Sequence, residues 1–375
     1  MKIVQAIRSK NQAWNFLTPQ QTLENPLVLV FGNRYLLEKN IYNEVQEFFP
    51  DAQIILSSSS GEIADSNVYD EAISLTAISF ENSKFTIAKN NILNFDKDSF
   101  TAGKNLAATF NIHQLKHVMV FSEGSFVNGS KLIDGFESIL PENITISGGL
   151  SGDDARFEKT LVGFNEDAKE GEIVALGLYG ETLEVSFASA SGWMPFGPER
   201  TVTKSKGNIL YELDNSPALE LYKTYLADKA NELPQSALLY PLNVTVNNEE
   251  PIIRTILNID EDSQTMILAG DIPEQSKSQL MMATVDNLVE GASKAAKMAM
   301  QNRTTVPQLA ILVSCVGRKL VMDQRVEEEI EEVKHVVGKH TAICGYYSYG
   351  EIAPFHNKKI CRLHNQTMTL TLISE

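Results

Sequence analysis

The chain has 375 residues and a formal net charge of −16, with 43% hydrophobic and 8% aromatic residues. This composition is ordinary for a globular protein and excludes a disordered chain. The acidic balance argues against nucleic-acid binding, which requires clustered lysine and arginine. No run approaches the ~20 apolar residues that span a bilayer, so we predict no membrane insertion.

The cysteine content indicates the cellular compartment, and the length indicates the number of domains. The three cysteines, Cys315, Cys344 and Cys361, are odd in number and few. This argues against a disulfide framework and predicts a cytoplasmic protein. At about 100–200 residues per domain the chain is long enough for two. A stretch rich in Gly, Pro and Thr over 192–216 separates the predicted domains, 23–215 and 216–375.

The N-terminal half opens with a predicted strand–helix–strand unit. Residues 27–31 (LVLVF) are apolar throughout, as in a buried strand. Residues 35–49 carry a helical apolar stripe that Pro50 ends. A second strand, AQIIL, leads into Ser-Ser-Ser-Ser-Gly-Glu-Ile-Ala at 57–64, and a third strand, AISLTAISF, follows a polar turn.

The same order returns near the C-terminus. Residues 309–313 (LAILV) predict a strand, and residues 325–337 place their apolar side chains on one helical face. A strand through 341–344 leads into Ser-Tyr-Gly-Glu-Ile-Ala at 348–353. The final strand, QTMTLTLIS, alternates as AISLTAISF does.

The sequence Ser-x-Gly-Glu-Ile-Ala therefore occurs twice in the same structural position. A weaker third copy consists of the strand HVMVF, a helix over 129–140 and the turn Gly-Gly-Leu-Ser-Gly-Asp-Asp at 148–154. We predict an α/β fold of mixed sheets with flanking helices, in two lobes. Each lobe is built from repeated strand–helix–strand–(Gly-Glu-Ile turn)–strand units.

Two further helices are predicted between these units. Ser216 suits the N-cap of a helix with Pro217 at its first position. A long helix is predicted over about 276–301, where Ser276 and Gln279 fit a capping box.

Several motifs together resemble the FIST-domain family, with its N-terminal part over about 23–215 and its C-terminal part over about 216–360. The motifs are GGLSGDD at 148–154, GWMPFG at 192–197, GN at 207–208 with ELD at 212–214, SCVGR at 314–318, YSYGEI at 347–352 and HNQT at 364–367. The resemblance implies a sensory domain for small ligands, with amino acids proposed. It also implies a partner, which here would be a separate histidine kinase, cyclase or chemoreceptor-type signalling protein.

One stretch departs from the family pattern. Where the family usually has Gly-Cys-Ser-Thr-Ala-Gly-Glu-Ile, this chain has Leu-Ser-Ser-Ser-Ser-Gly-Glu-Ile at 56–63. The missing cysteine argues against a thiol role at this turn.

The turns at the strand ends form the predicted ligand site, because ligands of α/β sheets collect where strands end. Arg318 would clamp a ligand carboxylate with two hydrogen bonds, and acidic side chains would receive an ammonium group. The predicted set is Ser314, Cys315, Arg318, Gly61, Glu62, Gly149, Ser151, Asp153, Asp154, Ser348, Tyr349, Glu351, Asn365 and Gln366. The alternatives are structural: an ion pair for Arg318, and a helix cap or an arginine partner for the glutamates.

We predict neither an enzyme nor a resident cofactor, and two alternatives stay open. Some members of this family resemble nitric-oxide-sensing haem proteins, and His356 or His364 would be the axial ligand of a haem. A cysteine-dependent hydrolase would use Cys315, which follows a strand. Cys361-x-x-His364 is half of a zinc pattern whose second half is missing.

Overall fold

The computed structural model describes residues 1–247, 250–354 and 360–375. The fold is a mixed α/β fold of several mixed sheets with flanking helices, which confirms the predicted class. The strands of the N-terminal half are β1 (Lys2–Ser9), β2 (Asn15–Phe16), β3 (Leu27–Gly32), β4 (Gln53–Ser58), β5 (Glu62–Ala64), β6 (Asn67–Tyr69), β7 (Ala72–Ser79), β8 (Lys84–Asn91), β9 (Leu115–Ser122), β10 (Thr145–Leu150), β11 (Val162–Phe164), β12 (Glu172–Tyr179) and β13 (Glu184–Ala190).

The strands continue in the C-terminal half, where a fourth sheet precedes the last strand–helix–strand unit. They are β14 (Met194–Lys206), β15 (Ile209–Leu213), β16 (Ser216–Pro217), β17 (Leu242–Thr245), β18 (Ile252–Arg254), β19 (Ile256–Asp260), β20 (Thr265–Leu268), β21 (Lys277–Met282), β22 (Leu309–Cys315), β23 (Ala342–Ser348), β24 (Gly350–Pro354), β25 (Cys361–His364) and β26 (Met368–Ser374).

The helices lie on the outer faces of the sheets. They are α1 (Arg34–Leu37), α2 (Ile41–Phe48), α3 (Ser99–Ala107), α4 (Gly129–Glu137), α5 (Ala218–Leu226), α6 (Val285–Met300), α7 (Val316–Met322) and α8 (Glu327–Val337). Short 3-10 turns occur at Ile92–Phe95, Ala227–Glu232, Gln235–Leu239 and Asp323–Arg325. Within the described ranges, no helix is long and apolar enough to cross a membrane.

Three six-stranded sheets share one plan. Each has a central parallel pair joined through helical sequence: β3 with β4, β9 with β10, and β22 with β23. A later antiparallel strand, β7, β12 or β26, pairs with the first strand of each parallel pair. The apolar runs that predict these strands are almost entirely buried, as expected when both faces of a sheet are covered.

The three sheets exchange short strands in a cycle. After β4 the chain crosses to pair β5 with β23; after β10 it crosses to pair β11 with β4; after β23 it crosses to pair β24 with β10. Each sheet is therefore completed by a strand that belongs to another unit. The predicted Gly-Glu-Ile turns are these crossing strands, β5 and β24, rather than simple turns.

This exchange differs from the predicted arrangement in two lobes. One sheet combines β5, β6 and β13 from the N-terminal half with β22, β23 and β26 from the C-terminal half. A single core lies between all three sheets, where the ring of Tyr346 stacks on Phe31 at 4.7 Å and Phe31 lies 6.0 Å from Phe121. The outer faces form separate cores with the helices.

The fourth sheet has eight strands in the order β18-β17-β21-β14-β15-β20-β19, with β16 paired to β15. Its core includes Leu219 and Tyr222 of α5. The predicted N-cap at Ser216 is wrong, because Ser216 pairs with Leu213 in this sheet and α5 begins at Ala218 without a side-chain cap.

The predicted helix over 276–301 is right only in its second part. Residues 277–282 form β21, which pairs with both β14 and β17. Helix α6 begins at Val285, where the Thr284 hydroxyl accepts a hydrogen bond from the Asn287 amide. Sheet pairing thus overrides the capping box that the local sequence offers.

Candidate functional site

The carboxyl ends of the parallel strand pairs meet where the chain crosses between sheets. The Ser60 amide donates to the Tyr347 carbonyl at 2.8 Å, the Gly152 amide to Ser58 at 3.1 Å, and the Tyr349 amide to Leu150 at 3.1 Å. These hydrogen bonds join residues 58–62, 150–154 and 347–351, which we call the junction. Most of the predicted ligand residues lie in it or directly beside it.

Two serine–glutamate pairs occupy the junction. The Ser59 hydroxyl donates to Glu62 Oε1 at 2.6 Å, and the Ser348 hydroxyl donates to Glu351 Oε1 at 2.8 Å. Both glutamates are buried. The repeated Ser-x-x-Glu spacing therefore produces the same local contact in two different sheets.

The second carboxylate oxygen distinguishes the two glutamates. Glu351 Oε2 accepts hydrogen bonds from the Thr367 amide at 3.1 Å and from its hydroxyl at 2.8 Å. Glu62 Oε2 has no hydrogen-bond partner among the described residues. A buried acceptor without a partner is unusual in native proteins and calls for an explanation.

Burial shifts the ionisation of both carboxyl groups. Desolvation raises the pKa of Glu351 to about 7, although the hydrogen bonds from Ser348 and Thr367 oppose the shift. Desolvation also raises the pKa of Glu62 well above its usual range, with Ser59 and Lys319 acting in the opposite direction. Both sites thus favour the neutral acid unless a cation approaches.

A lysine that the sequence reasoning missed lies beside Glu62. Lys319 Nζ donates to the Ser60 carbonyl at 2.7 Å and to Asp70, and it lies 5.8 Å from the centre of the Tyr347 ring. A methyl group at Gly61 would come within 2.8 Å of this nitrogen. Glycine at this position therefore lets the ammonium group approach the backbone.

Asp154 forms the outer side of the same cluster. Its Oδ2 accepts hydrogen bonds from Asn33 at 2.6 Å and from Arg156 at 2.9 Å. Burial raises the pKa of Asp154, and the nearby cations Arg156 and Lys319 lower it. Together with Glu62 and Asp70, this places three carboxyl groups and the Lys319 ammonium group within electrostatic range of one another.

Asp153 binds the protein's own loop instead. Its carboxylate accepts hydrogen bonds from the backbone amides of Phe157, Glu158 and Lys159, at 2.9, 3.0 and 2.9 Å, and from the Tyr349 hydroxyl. These contacts define structural roles for Asp153 and Tyr349. The Ser151 hydroxyl likewise lies 2.7 Å from the Ser57 hydroxyl.

Two glycines, one in the junction and one directly before it, lie close to buried side-chain hydroxyls. A methyl group at Gly152 would lie 2.3 Å from Ser60 Oγ, and one at Gly149 would lie 3.0 Å from the Tyr346 hydroxyl. Both hydroxyl groups are buried without a hydrogen-bond partner in the described part of the chain.

Arg318 is the centre of a buried network beside the junction. Its Nη2 lies 2.7 Å from Glu329 Oε2 and donates to the Leu288 carbonyl, and its Nη1 donates to the Ser191 carbonyl. The hydroxyls of Ser314 and Tyr347 donate to Glu329 Oε1 at 3.1 and 2.7 Å. Arg318 thus forms the structural ion pair that the sequence offers as the alternative to ligand binding. A ligand carboxylate would have to compete with Glu329 for the guanidinium.

Cys315 ends β22 and is buried. Desolvation and the neighbouring Glu351 raise the pKa of its thiol well above the usual range. A catalytic cysteine requires the opposite shift, because the thiolate is the nucleophile. This environment disfavours the hydrolase alternative.

The last two predicted residues lie in the turn between β25 and β26. Both amide atoms of Asn365, and Oε1 of Gln366, are buried without a partner among the residues described. Gln366 Nε2 donates to the Leu238 carbonyl at 2.9 Å and to the Thr255 hydroxyl at 3.1 Å. This turn therefore contacts the segments next to the fourth sheet as well as β26.

The histidines proposed as haem ligands give no support to that alternative. Nε2 of His364 lies 3.1 Å from the Ala353 carbonyl in the neighbouring strand. His356 lies outside the described residues. Across 1–247, 250–354 and 360–375, no group of three or more potential ligands could hold a metal ion. Haem binding stays an alternative to the predicted function.

Comparison with known proteins identifies the family. The FIST N domain matches residues 26–216, and the FIST C domain matches residues 218–354. The chain belongs to the FIST family. FIST domains are small-ligand sensory domains.

Two individual proteins are similar to this chain. An uncharacterized protein of Methanocaldococcus jannaschii is 26% identical over 265 residues, which cover 62% of this chain. The match spans about half of that relative, 49% of its length. A crystal structure of cyanuric acid hydrolase from A. caulinodans aligns over 93% of this chain and 89% of its own, with 9% identity and a TM-score of 0.32. Similarity at this level carries no argument about function.

Proposed function

We propose that this protein is a sensor that binds a small amino-acid-like ligand at the junction and signals to a separate partner protein. The single observation that carries the proposal is the unpartnered Oε2 of the buried Glu62. A buried carboxyl oxygen without a partner costs stability, and a ligand that supplies a donor would recover it.

The chemistry around Glu62 favours a ligand with an ammonium group. Desolvation keeps the pKa of Glu62 high. The protein therefore supplies too little positive charge around Glu62 to stabilise its ionised carboxylate. Asp154 adds a second carboxyl group, and Lys319 supplies one ammonium group from the protein. A ligand ammonium would donate a charge-assisted hydrogen bond to Glu62 Oε2.

The position of the junction suits a sensor. Residues of all three sheets meet there through backbone hydrogen bonds, so a ligand would contact elements from both family segments. A ligand that binds one arrangement of these elements better than another shifts the population toward it. The partner would be a histidine kinase, a cyclase or a chemoreceptor-type protein, as the family resemblance implies.

The first experiment measures thermal unfolding of the full chain with a panel of amino acids and short peptides. Each amine is paired with its N-acetylated form, which keeps the side chain and carboxylate but cannot form an ammonium group. Ligand at ~100 times its dissociation constant adds about 2.7 kcal/mol of stability. We expect the amine to raise the unfolding temperature more than its acetylated form.

The matched variants are Glu62→Gln and Glu351→Gln. Both change one buried glutamate of a serine–glutamate pair, but the oxygens of Glu351 already have protein donors. Glu62→Gln should clearly reduce the response to the amine, and Glu351→Gln should retain it. A panel in which amines and acetylated forms act equally would contradict the proposal.

A further inference from the structure

Arg254 is a buried arginine at the end of β18, next to the edge strand β25. Its Nε donates to the Asp271 carbonyl at 3.1 Å, and its Nη1 donates to the Leu363 carbonyl at 2.9 Å. Neither acceptor carries a full negative charge. Among the described residues, no acidic side chain forms an ion pair with Arg254.

The other two buried arginines are different. Arg318 pairs with Glu329 at 2.7 Å, and Arg34 pairs with Glu158 at 3.0 Å and with Asp153 at 3.6 Å. A buried charge is normally compensated in this way, because desolvation without a counter-charge is costly. Among the described residues, Arg254 therefore has no carboxylate at ion-pairing distance, and Asp271 acts on its charge only from farther away.

The surroundings of Arg254 increase its need for an anion. Burial lowers the pKa of its guanidinium to about 10; Asp271 raises this pKa, and Arg362 lowers it further. Gly270 packs against the guanidinium so closely that a methyl group there would lie 2.9 Å from its central carbon. The backbone of Gly270 therefore covers one side of the guanidinium, and a side chain at this position would displace the guanidinium.

Side-chain amide atoms without a partner among the described residues lie in the turn that follows β25; we call the contact between β18 and this segment the seam. Asn365 is two residues after Leu363 and is buried, with neither amide atom bonded within the described chain. Gln366 connects to the residue after Arg254 through Thr255 and keeps its Oε1 without a partner in the described ranges. The guanidinium of Arg254 and these amide groups thus belong to two segments that are in direct contact.

We propose that Arg254 is the recognition residue of a binding site for a small carboxylate at this seam. A carboxylate is planar and accepts parallel hydrogen bonds from a guanidinium, a geometry that lysine cannot match. The amide of Asn365 would bind a second polar group of the same molecule. The site does not depend on Glu62 or on the ligand proposed for the junction.

The test uses the full chain with acetate as the probe. Thermal unfolding is measured in sodium acetate and in sodium chloride of equal ionic strength at pH 7.5, so that screening is matched. We expect a saturable rise in unfolding temperature that is specific to acetate. Arg254→Met and Arg254→Lys should both lose it, whereas Glu62→Gln should keep it.

Arg303→Met is the matched control. Arg303 also donates to a backbone carbonyl, that of Leu372, but it has Glu184 at 3.7 Å. It should keep the acetate response. Equal unfolding temperatures for the wild type in acetate and chloride, or an acetate response that persists in Arg254→Met, would overturn the proposal.

A second variant keeps the proposal testable if Arg254→Met does not fold. Asn365→Asp supplies a carboxylate from the protein with almost no change of shape. We expect it to abolish the acetate response, because the added carboxylate repels a second carboxylate at the seam. Retention of the full acetate response in Asn365→Asp would count against the site.

Discussion

Arg318 and Glu329 form an ion pair from which solvent is fully excluded, with Nη2 2.7 Å from Oε2. The pair joins α7 to α8, and the carbonyls of Ser191 and Leu288 connect it to the segment before β14 and to α6. The hydroxyl of Tyr347 extends the network to the junction. This network and the hydrogen bond from Lys319 to the Ser60 carbonyl are polar contacts between the junction and the outer helices.

Arg318→Met should strongly destabilise the fold. Removing one partner leaves a buried charge uncompensated, which typically costs about 3–5 kcal/mol of unfolding free energy. Urea denaturation measures the change. Arg325→Met is the control, because Arg325 pairs with Asp286 and Glu328 at the surface. Equal urea midpoints for the two variants would show that Arg318 is not a structural residue.

Glu351 should make stability fall as pH rises. Its pKa is raised from 4.5 to about 7 in the folded protein, so the folded state holds a proton that the unfolded state has lost. This stabilisation is complete below about pH 4.5 and is lost as pH rises through 7. Its upper bound is roughly 3 kcal/mol. Urea titrations from pH 4.5 to 8 should show a smaller decline for Glu351→Gln; parallel curves would contradict the assignment.

His117 should have the opposite effect. Its ring nitrogens lie 2.7 Å from the hydroxyls of Thr145 and Ser147, and burial lowers its pKa from 6.5 to about 3. As pH falls, His117 binds a proton in the unfolded chain before it does so in the folded protein. Its contribution to the free energy of unfolding is therefore present above pH 6.5 and is lost as pH falls toward 3.

The measurement for His117 is acid-induced unfolding. His117→Gln should have a shallower loss of stability between pH 6.5 and 3 than the wild type. His113→Gln, at an exposed histidine, should follow the wild-type curve. A His117→Gln curve parallel to that of the wild type would contradict the lowered pKa.

Gly152→Ala tests the close packing at the junction. The added methyl group would lie 2.3 Å from Ser60 Oγ, and such overpacking usually costs about 1–3 kcal/mol. Ser60→Ala alone should be nearly neutral, because the Ser60 hydroxyl has no partner among the described residues. The double variant should recover part of the loss. Strictly additive effects would show that the two positions do not touch.

Much of the fold could be predicted from the sequence, because its strands are continuous apolar runs. The runs at 27–31 and 309–313 lie in β3 and β22. The exchange of strands between sheets could not be predicted, because a three-residue strand such as β5 carries no information about its partner. The predicted helix over 35–49 is also interrupted, since Asn40 adopts a left-handed conformation between α1 and α2.

The candidate site was predicted only in part. The repeated Gly-Glu-Ile sequence led directly to Glu62 and Glu351. Lys319 and Glu329 were missed, because nothing in a helical sequence indicates which of several charged residues points toward a distant turn. Arg254 was missed for the same reason: its lack of an ion pair among the described residues becomes visible only when its neighbours are known.

The ionisation of Glu62 should make ligand binding depend on pH. Its raised pKa means that an ammonium ligand must displace a proton when it binds. Affinity for the amine should therefore increase with pH from 5 to 8, while the amine itself stays protonated. Calorimetry in buffers of different ionisation enthalpy measures the proton released. Affinity that is independent of pH, with no proton released, would contradict this role.

The most direct test of a cation site at Glu62 is a calorimetric titration of the amino acid that raises the unfolding temperature most. A hydrogen bond to a charged group contributes about 1.5–3 kcal/mol, so Glu62→Gln should weaken binding by roughly 10-fold or more. Glu351→Gln should bind nearly as tightly as the wild type. Equal dissociation constants for the wild type and Glu62→Gln would contradict the account.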